Sequence, residues 1–369
     1  MLSKKRNFGL DVIRASAIIM VIMAHIAPFF SSQPLIYNLF YHAGLYGVEL
    51  FFVLSGYLIG QIVLKKMVNS LSVKTIKTFY MRRWLRTLPL FYFVLIILVF
   101  VANITQPDKN LHLLHFVFLQ NFHPIESGFF GVSWSLSIEE WFYLLLPVLF
   151  LISKKKSINN ITFYIGLSIV LILITRSVYV FAFQPTFDLG VRKFIPLRFD
   201  SLLIGVLLAQ IKLNYKYLFD LFKTRSLFIF SLLLLGIYYL WYVNIMMSKG
   251  IIYFDQSELV RITSWPLISI LMGLIMIFIE NSELINSKFG RIKPVYMIFT
   301  YLSIYSYSMY LIHFEIYDYF HSNINILNSR FLNILTPTIL IIFLSAMIYR
   351  YIEKPIMKKR DTIFPSKKI

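Results

Sequence analysis

The sequence predicts an all-α, polytopic integral membrane protein with about ten transmembrane helices and both termini in the cytoplasm. Three observations predict it. Of 369 residues, 58% are apolar and only 14% charged, where an ordinary soluble domain has about a quarter of its residues charged. Ten segments stay mostly apolar over about the 20 residues that a helix rising ~1.5 Å per residue needs to cross a ~30 Å hydrocarbon core. Lysine and arginine are concentrated in alternate connections, as cytoplasmic loops require.

The spans fall at 10–30, 44–64, 87–104, 134–152, 160–181, 197–211, 226–246, 264–280, 295–320 and 332–353. The N-terminus, the connections 65–86, 153–159, 212–225 and 281–294, and the tail from Lys354 carry 26 of the 36 basic residues, and the opposite set carries 6. The other four are Arg14, Arg176, Arg198 and Arg350, at or inside spans. An even number of spans keeps this alternation; one more or one fewer breaks it. The net charge of +19, which in a soluble chain would point to nucleic acid, is accounted for by topology and anionic membrane lipid. No nucleic-acid partner is expected. Cysteine is absent, which excludes disulfides, thiol nucleophiles and cysteine metal sites.

Lys4, Lys5 and Arg6 before an apolar run imitate a secretory signal, but Asp11 and Arg14 interrupt that run and no cleavage site follows. The first span is therefore expected to stay. Residues 1–369 read as a single membrane-embedded domain with no fused extracytoplasmic domain. The sizeable pieces outside the spans are the basic loop 65–86 and the outer segment 105–133, in which Leu111 to Leu119 reads as an interfacial helix. There is no internal repeat.

Charge inside hydrocarbon is costly, so ionisable residues in the spans are the candidate functional groups. In the first span, Arg14 and His25 are 11 residues apart, three turns plus about 20°, and so share a face about 16 Å apart along the axis; Asp11 joins the stripe one turn earlier. A neutral imidazole at His25, deep in the bilayer, can take a proton from a hydroxyl as a general base; alternatively it is bonded to a neighbouring helix. Arg82, Arg83 and Arg86 close the basic loop. Arg83 and Arg86 share a helical face at the cytoplasmic mouth, where guanidinium forks suit phosphate, of a ligand or of lipid.

The fourth span opens Trp134-Ser135-Leu136-Ser137-Ile138-Glu139-Glu140-Trp141. Ser135 and Glu139 face together and Glu140 points about 100° away. At the outer end of a span these carboxylates suit sugar hydroxyls or the orientation of a catalytic group, or they stabilise the first helical turn. Arg198 and Asp200 open the sixth span. Ser306, Tyr310, His313 and Tyr317 form a polar stripe on the ninth, suited to a cavity or to interhelical hydrogen bonds. The His313 to Asp318 spacing imitates the H-x4-D of soluble glycerolipid acyltransferases, but five residues turn the two faces about 140° apart, so the match is chance. His42, His112, His115, His123 and His321 fall in outer segments, where solvated or interfacial roles are expected. No phosphate loop, nucleophile elbow or paired-histidine zinc motif is present, so no metal and no permanently bound cofactor is expected.

Taken in order, several runs resemble a known family. They are Leu10 to Ala15 with His25; Phe51-Phe52-Val53-Leu54-Ser55-Gly56-Tyr57-Leu58; Arg82-Arg83-Trp84-Leu85-Arg86-Thr87-Leu88-Pro89; Trp134 to Glu140; Tyr305 to His313; and Glu353-Lys354-Pro355. The ordered set resembles the bacterial membrane acyltransferase 3 family across nearly the whole chain. The resemblance implies a ten-helix enzyme of the bacterial inner membrane that O-acylates carbohydrate, most often by O-acetylation, with cytoplasmic acyl-CoA as co-substrate. It implies that Arg14 and His25 are essential, that Arg83 and Arg86 contact the CoA phosphates, and that Glu139 and Glu140 matter for function. Some members carry an extra helix and a fused extracytoplasmic hydrolase-like domain; with its short basic tail this chain is expected to be of the stand-alone type. Trp141 departs from the polar residue common after the glutamates.

The expected reaction is direct acyl transfer in the membrane. Acyl-CoA, most simply acetyl-CoA, docks on Arg83 and Arg86 with Arg82 beside them. A hydroxyl of an O-antigen, capsule or similar glycan enters past Glu139 and Glu140, with Trp134, Ser135, Arg198, Asp200, Tyr310 and His313 as further acceptor-side residues, and His25 takes its proton. The competing reading is a transporter or flippase for a glycan or lipid-linked sugar; a third is a structural subunit of a polysaccharide-assembly complex.

Overall fold

A computed structural model of the protein describes residues 6–67, 72–105, 113–122, 129–152, 158–323 and 329–365. Every regular element among them is helical. The α-helices are α1 (Phe8–Ile26), α2 (Pro34–Met67), α3 (Val73–Thr105), α4 (Ser133–Ile152), α5 (Ile158–Phe183), α6 (Phe199–Asn214), α7 (Lys216–Phe222), α8 (Arg225–Lys249), α9 (Ile251–Gln256), α10 (Glu258–Asn281), α11 (Lys293–Ser322), α12 (Arg330–Ile348) and α13 (Lys354–Ile363). Helix is the form that satisfies every backbone group internally, which lipid demands. Each of the ten expected spans coincides with a helix, and among the described residues eight helices are long and apolar enough to cross a membrane by length and composition. The chain is a multi-pass membrane protein. The two expected spans outside that eight are α4, which carries Glu139 and Glu140, and α6, which has only 16 residues.

Local chemistry sets the helix ends. The Asn7 side chain accepts from the Leu10 N–H at 3.1 Å and caps α1. Ser257 does the same for α10, accepting from Val260 N–H. Gly250, at φ +68° and ψ −169°, takes a positive-φ conformation open to glycine and ends α8.

Two compact units divide the chain, residues 1–62 with 156–306, and residues 63–155 with 307–369. In the first, α2 packs on α6 through glycines. A Cβ on Gly56 would lie 2.0 Å from the Leu202 carbonyl oxygen, and one on Gly60 would lie 2.9 Å from the Val206 Cα. The Gly56-x-x-x-Gly60 spacing thus lets two backbones touch, the small-residue contact that drives helix association in lipid. In the second unit, α3 runs beside α4. The Tyr80 hydroxyl donates to the Leu144 carbonyl at 2.8 Å, and the Trp141 indole N–H donates to the Phe118 carbonyl at 2.9 Å. Trp141 therefore packs and bonds within this unit.

Several expectations change. The basic loop 65–86 is mostly helix, because α2 continues to Met67 and α3 begins at Val73. The described part of the outer segment holds a 3-10 turn, Leu113–Val117, in place of an interfacial helix, and residues 111 and 112 lie outside the described residues. His42 and His115 are 2% and 0% exposed, not solvated, since α2 starts ten residues before the expected span and encloses His42. His112 and His123 lie outside the described residues, while His321 is exposed in the last turn of α11.

Between α5 and α6 the chain makes a π-helical turn, Phe187–Arg192. Asp188 pairs there with Arg192 and, at 2.8 Å, with Lys193. Burial alone would raise the Asp188 carboxyl, but the two cations override it and hold the group well below the usual carboxylate range. A depressed native pKa contributes stability above the unfolded value near 4, and that stability is lost as pH falls towards the native pKa. The wild type should therefore melt above Asp188→Asn at neutral pH, and the gap should narrow as detergent-solubilised protein is taken below about pH 4. A gap independent of pH would rule this linkage out.

Candidate active site

The first set of candidate residues lies on α1. Asp11 is 3% exposed, and its carboxylate accepts from Arg6 Nε at 2.9 Å and from the Ser303 hydroxyl at 2.7 Å. The same Ser303 oxygen accepts from Arg14 Nη1 at 3.5 Å. Asp11, Ser303 and Arg14 thus form one chain of contacts. Sequence reasoning missed Ser303, although it lies one turn before Ser306 on the stripe already singled out. Because α1 is unbroken from Phe8 to Ile26, Arg14 and His25 keep their common face and their separation of about 16 Å. His25 occupies the last turn. The neighbouring Ala24 abuts Gly44, where an added Cβ would meet the Ala24 Cβ at 2.6 Å. Gly44 is ten residues into α2, so His25 sits about 15 Å along that helix from its first residue.

The second set lies on α3 and α4. Arg83 Nη2 donates to the Tyr143 hydroxyl at 2.5 Å and to Glu139 Oε2 at 3.3 Å, and its guanidinium lies 3.9 Å from the Tyr143 ring centre. One turn on, the Thr87 hydroxyl donates to Glu140 Oε1 at 2.8 Å, and the Tyr307 hydroxyl donates to the Thr87 carbonyl at 2.7 Å. Arg83 Nε and Glu140 Oε2 are buried and have no hydrogen-bond partner. The sequence reading set Arg83 at the cytoplasmic mouth and the glutamates at the outer end; the structure brings them into contact. The reason is length. α3 has 33 residues, about 50 Å, and the Arg83 motif lies well inside it, level with the middle of α4. The flanking carboxylates let a guanidinium stay at that depth.

Arg82 and Arg86 have other neighbours. Arg82 Nη2 donates to Asp361 Oδ1 at 2.8 Å, and Nη1 donates to the Phe364 carbonyl, so it ties α3 to α13. Arg86 lies within electrostatic range of Glu353, whose carboxylate accepts from Ser308. Trp134 is buried at 8% exposure. Ser135 and Tyr310 share a hydrogen bond of 2.6 Å, and Tyr310 also donates to the Val132 carbonyl. His313 is 0% exposed, with Nδ1 at 2.8 Å from the Tyr310 carbonyl and 3.1 Å from that of Met309. Only a protonated Nδ1 can make those contacts.

Arg198 and Asp200 belong to a buried ion network. Arg198 pairs with Glu49, whose other oxygen accepts from Ser201 at 2.8 Å and from Ser269 at 3.2 Å. Arg176 donates to Asp200 at 2.6 Å, and Arg198 reaches Asp200 at 3.6 Å. These four charged side chains are 0% to 1% exposed. Glu49 was missed by sequence reasoning, although a lone charge in the span 44–64 was a sufficient signal.

Comparison with known proteins matches the sequence to a family. The acyltransferase 3 profile, described as an acyltransferase domain, matches residues 7–350. The O-acetyltransferase OatA of Staphylococcus aureus strain NCTC 8325 is 28% identical over 98% of this chain and 59% of its own length. A putative O-acetyltransferase of strain COL is 27% identical over 95% of this chain and 57% of its own length. The chain thus spans less than two thirds of these relatives. No solved structure matches it significantly. With the profile covering almost all of α1 to α12, the chain belongs to the acyltransferase 3 family.

Proposed function

We propose that this protein is an O-acyltransferase of the bacterial inner membrane. It moves an acyl group, most simply acetyl, from cytoplasmic acyl-CoA to a hydroxyl of a cell-envelope or exported carbohydrate. The observation that carries the reading is α1, one unbroken helix with Arg14 and His25 on the same face. Family membership over residues 7–350 supports acyl transfer, and the relatives' names support acetyl as the group.

His25 takes the hydroxyl proton as the oxygen attacks the thioester carbonyl, so the transferred atom and the base act together. The carbon–sulfur bond breaks, an ester forms, and the CoA thiolate recovers the proton from the imidazolium. Asp11 and Ser303 hold Arg14 in place. The donor's phosphates use Arg83 and Arg86. A phosphate takes the Arg83 guanidinium by displacing Glu139, the longer of that group's two contacts. Both termini are assigned to the cytoplasm, as the basic loops require.

The test is mass spectrometry of envelope glycans from cells lacking the gene, with and without the wild-type chain restored. An acyl mass that disappears and returns with the wild type supports the proposal. Unchanged acylation with lost glycan export would replace it by the transporter reading.

A further inference from the structure

Within the first unit, α2 and α8 enclose a group of hydroxyl and imidazole side chains that the proposed chemistry leaves unused. His42 and Tyr46 sit one turn apart on α2 and are 2% and 4% exposed. The His42 ring meets Tyr242 at 5.0 Å between centroids, and the Tyr46 ring meets Tyr239 at 4.9 Å. Tyr238 bonds to Ser264 at 2.7 Å. Arg192, paired with Asp188, lies within electrostatic range of His42 and Tyr242. Phe187 and Phe254 pack against Tyr242, and Trp265 stacks on Phe187 at 5.0 Å.

Three buried polar atoms in this cluster have no hydrogen-bond partner: His42 Nδ1, the Tyr46 hydroxyl and Trp265 Nε1. An unpaired buried polar group costs about 1–3 kcal/mol, and three in one cluster ask for an occupant. The rim is open: Tyr41 is 49% exposed and stacks on Tyr37 at 5.5 Å, and the Asp188 side chain is 37% exposed.

We propose that this cluster is a pyranose-binding subsite, which takes one sugar ring of the acceptor glycan. The chemistry selects that ligand. Sugar hydroxyls both donate and accept, and so do tyrosine hydroxyls and a neutral imidazole. Apolar faces of the ring pack on aromatic side chains, of which this cluster is largely made. Arg192 is already neutralised by Asp188, so an anion gains little, while an Asp–Arg pair suits a vicinal diol. An apolar ligand would leave all three orphaned atoms unpaired. The inference rests on the proposed carbohydrate acceptor and gives it a location on α2 and α8.

Tyr46→Phe separates this role from a structural one. The hydroxyl it removes has no protein partner, so folding stability should be unchanged or raised. Binding should weaken about tenfold, the loss of one net hydrogen bond. The experiment titrates purified full-length protein with methyl glucoside, methyl galactoside and methyl N-acetylglucosaminide, following intrinsic tryptophan fluorescence, with thermal unfolding in parallel. Wild type and His25→Ala should both bind at least one glycoside saturably. Tyr46→Phe and His42→Phe should weaken that binding about tenfold while keeping their melting temperatures. Equal binding by all four proteins, or no saturable binding by wild type, overturns the subsite. Glycan acylation is measured separately in cells: if it is intact in wild type and in Tyr46→Phe, the enzyme reading stands and this subsite falls. Saturable, Tyr46-dependent binding without any acylation would do the reverse.

Discussion

Replacing His25 by alanine is expected to lower acyl transfer by about 10²- to 10⁴-fold, the usual contribution of a positioned general base. In a glycan assay that reads as loss of the acyl mass. The protein should still fold and insert. Alanine is the best helix former, and the variant keeps the Asn7 cap, the Asp11–Ser303 bond and the close approach of Ala24 to Gly44 that help to place α1. Detergent-extracted His25→Ala should therefore match wild type in yield and melting temperature. Arg14→Lys tests the neighbouring group. It keeps the charge but loses the planar fork, and because it leaves the base in place, its effect should be smaller than that of His25→Ala. Normal acylation by His25→Ala would remove the imidazole from the mechanism and return attention to Ser135 and Tyr310, the hydroxyl pair on α4 and α11.

How much of this was legible in the sequence depends on the range over which a signal acts. Hydropathy is local, so each of the ten expected spans coincides with a helix. What hydropathy does not show is a helix that continues into polar residues. The run from Lys74 to Arg86 reads as a loop because its charges break the apolar window, yet it stays helical where Glu139, Tyr143 and Asp361 receive its arginines. Those partners are 56, 60 and 279 residues away, beyond any periodicity argument. The same limit applies to the site. The Asp11–Arg14–His25 face follows from 3.6 residues per turn and needed no tertiary information. Ser303 is 292 residues from Asp11, and the contact between Arg83 and Glu139 required knowing that α3 is longer than its apolar part.

Glu49→Ala should destabilise the protein by about 3–5 kcal/mol, because it leaves the Arg198 guanidinium buried with its main counter-charge gone. Burial and the count of charges set that cost. Two arginines, Arg176 and Arg198, face two carboxylates, Glu49 and Asp200, with exposures of 0% to 1%. Asp200 already accepts from Arg176 at 2.6 Å, so at 3.6 Å it can only partly compensate Arg198. The Trp265 ring, 4.6 Å from that guanidinium, adds a weaker attraction. Ser201 and Ser269 would also lose their acceptor. The measurement is the half-life or melting temperature of detergent-solubilised protein, since membrane proteins of this size often unfold irreversibly. The double variant Glu49→Leu with Arg198→Met should recover much of the loss, because an apolar pair of similar volume removes both desolvation penalties. If the single variant melts with the wild type, the network is not holding α2, α6 and α10 together. If the double variant is no better than the single, the cost lies in packing rather than in an orphaned charge.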